Sequence, residues 1–321
     1  MKFVFLMDWM NPANMDKDTT FIMMWGAHQR GHEVYFLMDG QMTLEDGQLK
    51  FHVFKTTPQK DKKQPLPLEA PCDLKVSDVD ALFIRRDPPF NDSYLMNTWL
   101  LDRAAQALPV INSPAGLRAV NEKVWAAQFT DLVPPTMIGR TPRELLAFIS
   151  RHGSVVAKPT DGYGGQGIFR LEDGGSNVRV TLETLTHHFK RDIILQKYIP
   201  AAETGDKRIL LLNGEPLGAV LRVHAPGEHR NNFFAGGRPE PCEITARDKE
   251  IIAALKPQLL ELGLYFVGID VLGDYLVEVN VTSPTCLQEM NRLYNQTLED
   301  KIIDFTEKLV ANYRPRARIA P

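Results

Sequence analysis

Asp270, Glu278 and Asn280 are the residues best suited to chemistry, and they lie within one short stretch, FVGIDVLGDYLVEVNVTSPT, from Phe266 to Thr285. Carboxylate and carboxamide oxygens are hard ligands. Three of them converging on a rigid sheet suit Mg²⁺, with Mn²⁺ the alternative, because such ions take a few carboxylate or carbonyl oxygens plus substrate phosphates. The stretch reads as two strands about a Gly273-Asp274 turn. Strict alternation places Leu276, Glu278 and Asn280 on one face and Val277, Val279 and Val281 on the other. Asp270 joins the polar face if the strands pair. The same pattern also fits an edge hairpin whose polar face is simply wet.

A second set of residues could handle phosphate. Ser154–Lys158 reads as a strand, Ile168–Leu171 as another, and between them Gly162, Gly164, Gly165 and Gly167 place four glycines in six residues. Backbone N–H groups in such a loop can approach an anion closely because no Cβ intervenes. Lys158, at the end of the incoming strand, would face it. No helix follows the loop and no Gly-Lys-Ser/Thr is present, which excludes a Walker-type loop and a Rossmann fingerprint. A glycine-rich surface hairpin is the alternative. Arg85-Arg86-Asp87 lies at the C-terminal end of the strand Asp80–Arg85, where α/β sheets bind ligands, and Pro88-Pro89 fixes an extended turn after it. A surface ion-pair cluster fits that triplet equally well.

The elements that must position these groups follow from periodicity. A strand at Lys2–Met7, a helix over roughly 20–30 capped by Asp18, Thr19 and Thr20, and a strand at Glu33–Leu37 open the chain as βαβ. Gln48–Phe54 is a further strand. Residues 55–71, with four Pro and four Lys, read as an exposed loop. Helices are expected over roughly 92–107 and 114–131, the latter carrying Asn121, Glu122 and Lys123. Pro134-Pro135 marks a lobe boundary, and Thr141-Pro142-Arg143-Glu144 has the pattern of a capping box. A helix at 181–190, a strand at Ile193–Gln196, and a strand at Ile209–Leu212 preceded by Asp206, Lys207 and Arg208 come next. After the strand Leu217–Val223, residues 224–241 read as a long loop of the kind that serves as a lid. Helices at about 246–262 and 297–312 complete the chain.

At 321 residues the chain suits two or three lobes. Apolar content of 44% and charged content of 24% describe an ordinary globular protein. A net charge of -3 gives no reason to expect nucleic acid or an anionic membrane as partner, and no apolar run approaches the ~20 residues that span a bilayer. Cys72, Cys242 and Cys286 are odd in number and far apart. That spacing fits a reducing cytoplasm and neither a disulfide framework nor a zinc site. The apolar start MKFVFLM is too short for a signal peptide and lacks a small-residue cleavage site.

Taken together, RRDPPF (85–90), Asn121-Glu122-Lys123, KPTDGYGGQGIF (158–169), GDKR (205–208) and FVGIDVLGDYLVEVNVTSPTC (266–286) resemble the bacterial glutathione synthetase family of the ATP-grasp superfamily, in order and over nearly the whole chain. The resemblance implies an α/β protein with α+β lobes: an N-terminal parallel-sheet domain (1–120), a central lobe bearing the glycine loop (121–199) and a C-terminal antiparallel lobe (200–321). It implies ligation of glycine to γ-glutamylcysteine with ATP and Mg²⁺, and a homotetramer. Lys123 and Lys158 would then bind phosphates under the Gly162–Gly167 loop. Gln196, Lys197, Tyr198 and Ile199 would meet adenine, and Asp206 a ribose hydroxyl. Asp270, Glu278 and Asn280 would hold the metal, and Arg208 would stabilise the transferring phosphoryl and the oxyanion. Arg85, Asp87, Arg222, Arg230, Gly237, Ser283 and Thr285 would contact the dipeptide and glycine, with 224–237 as lid. The lid departs from the family pattern at Asn231–Phe234. Another carboxylate–amine ligase of the superfamily, or a non-catalytic ATP-binding module, would share part of this pattern. Loss of Arg208, Glu278 or Asn280 would have favoured the module, and all three are present.

Overall fold

The computed structural model describes residues 1–224 and 237–313. Its first sheet is built from β1 (Lys2–Met7), β2 (Glu33–Leu37), β3 (Met42–Glu45), β4 (Gln48–Thr56), β5 (Leu68–Lys75), β6 (Ala81–Arg85) and β7 (Val110–Ile111). β2, β1, β6 and β7 are parallel, and β3, β4 and β5 add an antiparallel flank. Continuous apolar runs such as Phe3–Met7 are buried throughout, as a sheet covered on both faces requires. Helix α1 (Thr19–Gln29) starts where the Asp18 carboxylate accepts from Phe21 N at 2.7 Å. Helices α2 (Asp92–Ala104) and α3 (Pro114–Ala119) complete this region.

The second sheet, β10-β9-β11-β8, is antiparallel and consists of β8 (Thr136–Gly139), β9 (Ser154–Pro159), β10 (Phe169–Glu172) and β11 (Ile193–Lys197). Helices α4 (Pro142–His152) and α5 (Val178–Leu185) cover it. The third sheet, β14-β13-β12-β15-β16, is also antiparallel. It comprises β12 (Asp206–Leu212), β13 (Glu215–Val223), β14 (Arg238–Glu240), β15 (Phe266–Leu272) and β16 (Tyr275–Asn280), with helices α6 (Ala246–Glu261), α7 (Leu287–Tyr294) and α8 (Leu298–Asn312). Among the described residues no helix is long and apolar enough to cross a membrane.

The cores are shared unevenly. Apolar residues of the first and third sheets merge into two continuous clusters: Val4 and Leu82 belong with Ile209 and Val267, and Phe3 and Phe83 with Leu210 and Phe266. The second sheet packs its own core of Leu145, Phe148, Ile149, Val155, Leu171 and Leu195. The glycine loop therefore rides on a separately packed unit, facing a rigid two-sheet body.

Several elements differ from the sequence reading, each for a local reason. The expected helix 114–131 stops at Ala119. Val120 is extended, and the Asn121 side chain captures the N–H groups of Lys123 and Val124, which leaves residues 120–124 as a turn before a short 3-10 segment. Residues 55–71 are not all loop: Lys55 and Thr56 end β4, and Leu68–Pro71 begin β5, paired across the hairpin from Thr56↔Leu68. The proline at position 71 is tolerated because β5 lies at the sheet edge. Asp206, Lys207 and Arg208 lie inside β12. Helix α5 ends at Leu185 because His187, His188 and Phe189 turn back through left-handed φ values of 49°, 58° and 62°, returning Phe189 to the core. Strand β8 and helix α7 were not expected, and Arg238–Glu240 pairs with β13 rather than continuing the loop. Thr141 caps α4 without a side-chain hydrogen bond, in a first turn that is exposed throughout.

Candidate active site

Strand register builds the site. Arg208 on β12 stands opposite Asp270 on β15, and Asp270 stands opposite Glu278 on β16. Two residues along, on the same face, Asp206 faces Arg222 on β13, and Asn280 faces Gly268. Six polar side chains thus share one patch of one sheet face. A β-bulge makes this possible: Asp270 pairs with Glu278 but Val271 pairs with Leu276, so Val277 is the extra residue. The bulge corrects the strict alternation expected for this strand. Leu276 is fully buried in the core with Val279 and Val281, whereas Val277 lines the cleft beside Glu278.

The patch forms the floor of a cleft of about 1090 Å³ lying between the third sheet and the second. Across it stand Lys123, Lys158 and the glycine loop. The loop needs its glycines: Gly164, Gly165 and Gly167 have φ of 60°, 77° and 70°, and a Cβ on Gly162 would lie 2.6 Å from Pro159 Cγ.

Charges in the cleft are tightly paired. Arg208 donates from Nη2 to Asp270 Oδ2 at 2.8 Å and from Nε to Oδ1, and Arg222 Nη2 reaches the same Oδ2 at 2.9 Å. Arg222 also holds Asp206 through both nitrogens, the Nε bond being 3.0 Å. Burial opposes ionisation of Asp270, but the two guanidinium groups outweigh it and hold its carboxyl well below the usual range. Burial works against Arg222 too, yet Asp206 and Asp270 keep it firmly charged. Lys123 Nζ donates to Glu278 Oε1 at 2.6 Å and to Gly162 O, bridging the sheet and the glycine loop. Lys158 Nζ donates to Gln196 Oε1 at 3.2 Å and lies 3.5 Å from Val277 O. With no carboxylate among those two partners, burial and the neighbouring Lys123 push Lys158 down to about 8.

Arg208 and Arg222 thus stand among Asp206, Asp270 and Glu278 on the sheet, and Lys123 and Lys158 face them across the cleft. A polyphosphate would meet concentrated positive charge there. The metal-ligand candidates fit a hard divalent cation by donor type: two adjacent carboxylates and the Asn280 carboxamide leave further positions to phosphate oxygens. Among the described residues no group of three His, Cys, Asp or Glu is placed to hold a metal.

Sequence profiles of the prokaryotic glutathione synthetase N-terminal domain and ATP-grasp domain match residues 1–118 and 122–295. The chain belongs to the prokaryotic glutathione synthetase family. It is 39% identical over 310 residues to the glutathione synthetase of Vibrio cholerae, covering 96% of this chain and 98% of that one. Identity to the glutathione synthetase of Escherichia coli strain K12 is 37% over 309 residues, covering 96% and 98%. Among solved structures, D-cycloserine synthetase DcsG superposes with a TM-score of 0.65 at 15% identity, covering 96% of this chain and all of that one. The macrocyclase MdnC of Microcystis aeruginosa gives 0.62 at 16% identity, covering 96% and 100%. These two show the ATP-grasp fold alone. As a glutathione synthetase family member, the chain is an ATP-dependent carbon–nitrogen ligase, of a family that uses ATP with a divalent metal.

Of the residues expected to bind nucleotide, Lys123, Lys158, Gly162, Gly164, Gly165, Gln196, Lys197, Tyr198, Ile199 and Asp206 all line the cleft, and Gly167 shapes the loop from behind against Pro159. Two details differ. The N–H groups of Lys197 and Tyr198 already donate to Pro135 O and Ser154 O, so a purine would meet this segment through other groups. Asp206 has both oxygens held by Arg222. The Arg170 guanidinium lies 3.8 Å over the Tyr198 ring at the same end of the cleft, a contact the sequence did not suggest.

Asp87, Arg222, Ser283 and Thr285 also line the cleft. Arg85 is not among the lining residues and lies buried, donating to Thr20 Oγ1 at 3.1 Å and Pro284 O at 2.8 Å. Its position props the Ser283–Thr285 loop from below. Gly237 precedes β14 and is not among the lining residues. Arg230 and Asn231–Phe234 lie outside the described residues. Cys286 lines the cleft, and burial pushes its thiol up despite Arg208 and Arg222 nearby. Gly268 escaped the sequence reading. A Cβ there would lie 2.9 Å from Pro284 Cβ and 3.2 Å from Arg208 Cδ, so its bareness seats both.

Proposed function

We propose that this protein ligates glycine to the cysteinyl carboxylate of γ-glutamylcysteine, giving glutathione, ADP and phosphate. The observation that carries the reading is the patch on the third sheet, where Arg208, Asp270 and Glu278 stand side by side on three adjacent strands opposite Lys123, Lys158 and the glycine loop. Relatives over the whole length bear the name glutathione synthetase.

In this account the triphosphate lies between the glycine loop and the patch, held by Lys123 and Lys158, with the purine near Tyr198. Arriving phosphates draw Lys123 from Glu278, freeing that carboxylate. Asp270, Glu278 and Asn280 would hold Mg²⁺, which would offset phosphate charge and draw electron density from the transferring group. A carboxylate oxygen of the dipeptide attacks the γ-phosphorus, the bond to the bridging oxygen breaks, and ADP leaves. The resulting acyl phosphate makes the carbonyl carbon electrophilic. The glycine amine adds to that carbon, phosphate is expelled, and the amine loses its proton. Arg208 aims a forked guanidinium at the transferring phosphoryl and then at the tetrahedral oxyanion. Asp87, Ser283 and Thr285 orient the dipeptide. We further propose the three-lobe division 1–120, 121–199 and 200–321, a homotetrameric assembly and a cytoplasmic location.

The test is ADP release by purified protein with Mg-ATP and γ-glutamylcysteine, with and without glycine. Release that requires both substrates and yields glutathione supports the reading. Release that requires the dipeptide but is indifferent to glycine retains the ligase chemistry and assigns another amine.

A further inference from the structure

Beyond Asn280 the β15–β16 ladder ends, and the next two residues have no strand partner. Side chains take over. Asn112 Nδ2 donates to Val281 O and to Phe266 O, both at 2.7 Å, while its Oδ1 accepts from Phe266 N at 2.8 Å. From the other side a single oxygen, Glu122 Oε1, accepts from Val281 N at 2.7 Å, Thr282 N at 2.9 Å and Thr282 Oγ1 at 2.8 Å. The Glu122 carbonyl also accepts from Val279 N at 2.9 Å. One residue thus grips three positions, Val279, Val281 and Thr282, in the segment that joins Glu278 and Asn280 to Ser283 and Thr285.

Its neighbours reach elsewhere. Asn121 Nδ2 donates to Thr160 O at 3.1 Å, at the root of the glycine loop, and Lys123 bridges Glu278 and Gly162. From the turn 121–123, adjacent side chains thus reach the root of the glycine loop, a candidate metal ligand and the residues that lead into the Ser283–Thr285 loop.

We propose that Glu122 is a positioning residue for ligation: it sets the distance between the metal-ligand strand and the Ser283–Thr285 loop, and so registers the dipeptide carboxylate against the γ-phosphate. This rests on the reading given under Proposed function. Three bonds to one oxygen make an acceptor, rather than a charge, the working feature. Gln keeps that acceptor and Ala removes it.

The experiment compares wild type, Glu122→Ala, Glu122→Gln and Thr282→Val in steady-state ADP release with separate titrations of ATP, γ-glutamylcysteine and Mg²⁺, alongside thermal denaturation. Wild-type turnover that requires both substrates secures the underlying reading on its own. Glu122→Ala should raise the dipeptide KM and lower kcat, each on the order of tenfold, with a smaller change in the ATP KM, because displacing one reacting group by a fraction of an ångström already costs this much. Glu122→Gln should restore most of both. Thr282→Val, which removes one bond of the three, should shift the dipeptide KM in the same direction by less. Unchanged KM values with only a lowered melting temperature would make Glu122 a purely structural residue and overturn the proposal. Failure of Glu122→Gln to restore function would overturn it as well, since charge would then matter and acceptor geometry would not.

Discussion

Arg208 and Asp270 face each other across one rung of the third sheet and join through a bidentate pair, Nη2 to Oδ2 at 2.8 Å. The group proposed to stabilise the oxyanion and a group proposed to bind the metal are thus each other's partner until substrate arrives. Arg222, bonded to the same Asp270 oxygen, keeps that carboxylate compensated when Arg208 turns toward phosphate.

Arg208→Ala should lower kcat by on the order of a hundredfold or more, the usual cost of losing an oxyanion donor. The ATP KM should change little, and stability should fall by on the order of 3 kcal/mol because a buried ion pair is broken. Arg208→Lys keeps the charge but loses the fork, so it should recover stability better than rate. Steady-state kinetics and urea denaturation read both. A change confined to the ATP KM would remove Arg208 from the chemical step.

Lys158 carries a pH prediction. Its folded value is pushed down to about 8, below its ordinary 10.5. Between these values the unfolded chain holds a proton the folded chain has lost, so the lysine's unfavourable contribution fades as pH rises from 8 to 10.5. Lys158→Met should therefore stabilise the protein at pH 7, by on the order of 1–3 kcal/mol. That gain should vanish near pH 10.5. The kcat/KM for ATP should fall above pH 8 in wild type as the free enzyme loses the charge that meets phosphate. A stability difference that is flat across pH 7 to 10.5 would contradict the assignment.

The bulge at Val277 separates two neighbouring valine and leucine positions by consequence. Leu276→Ala should destabilise by about 2–5 kcal/mol, as for other buried leucines. Val277→Ala should leave stability nearly unchanged and raise the ATP KM, since Val277 lines the cleft. Equal losses of stability would argue for unbroken alternation. This residue also shows where the sequence stops being informative. Period-two patterning located both strands and their turn, but not the pairing of Asp270 with Glu278, which the bulge sets. One extra residue reverses every side chain before it, and no residue type at 275–278 announces it. Likewise Arg85, an arginine at a strand end, reads as a ligand contact, and only its burial under Pro284 makes it a brace. The contacts of Glu122 and Lys123 with the end of β16 were not legible because those partners lie 155 to 160 residues away in sequence. What the sequence carried well was the set of residue types and their order, which the family profiles also match.

Gly268 should tolerate no side chain. Gly268→Ala would push against Pro284 and Arg208 together. It should cost about 1–3 kcal/mol from overpacking. It should also lower kcat by on the order of tenfold, because the guanidinium is displaced. Wild-type kinetics for this variant would show that Arg208 is seated by something else.

The central claim is that the carboxylate of γ-glutamylcysteine is activated as an acyl phosphate in this cleft. The most direct measurement supplies the dipeptide with its cysteinyl carboxylate labelled by ¹⁸O, together with Mg-ATP and glycine, and analyses glutathione and inorganic phosphate by mass spectrometry. The account predicts glutathione with one labelled oxygen transferred to each phosphate released. Glutathione formed alongside unlabelled phosphate, or no glutathione at all, would contradict it.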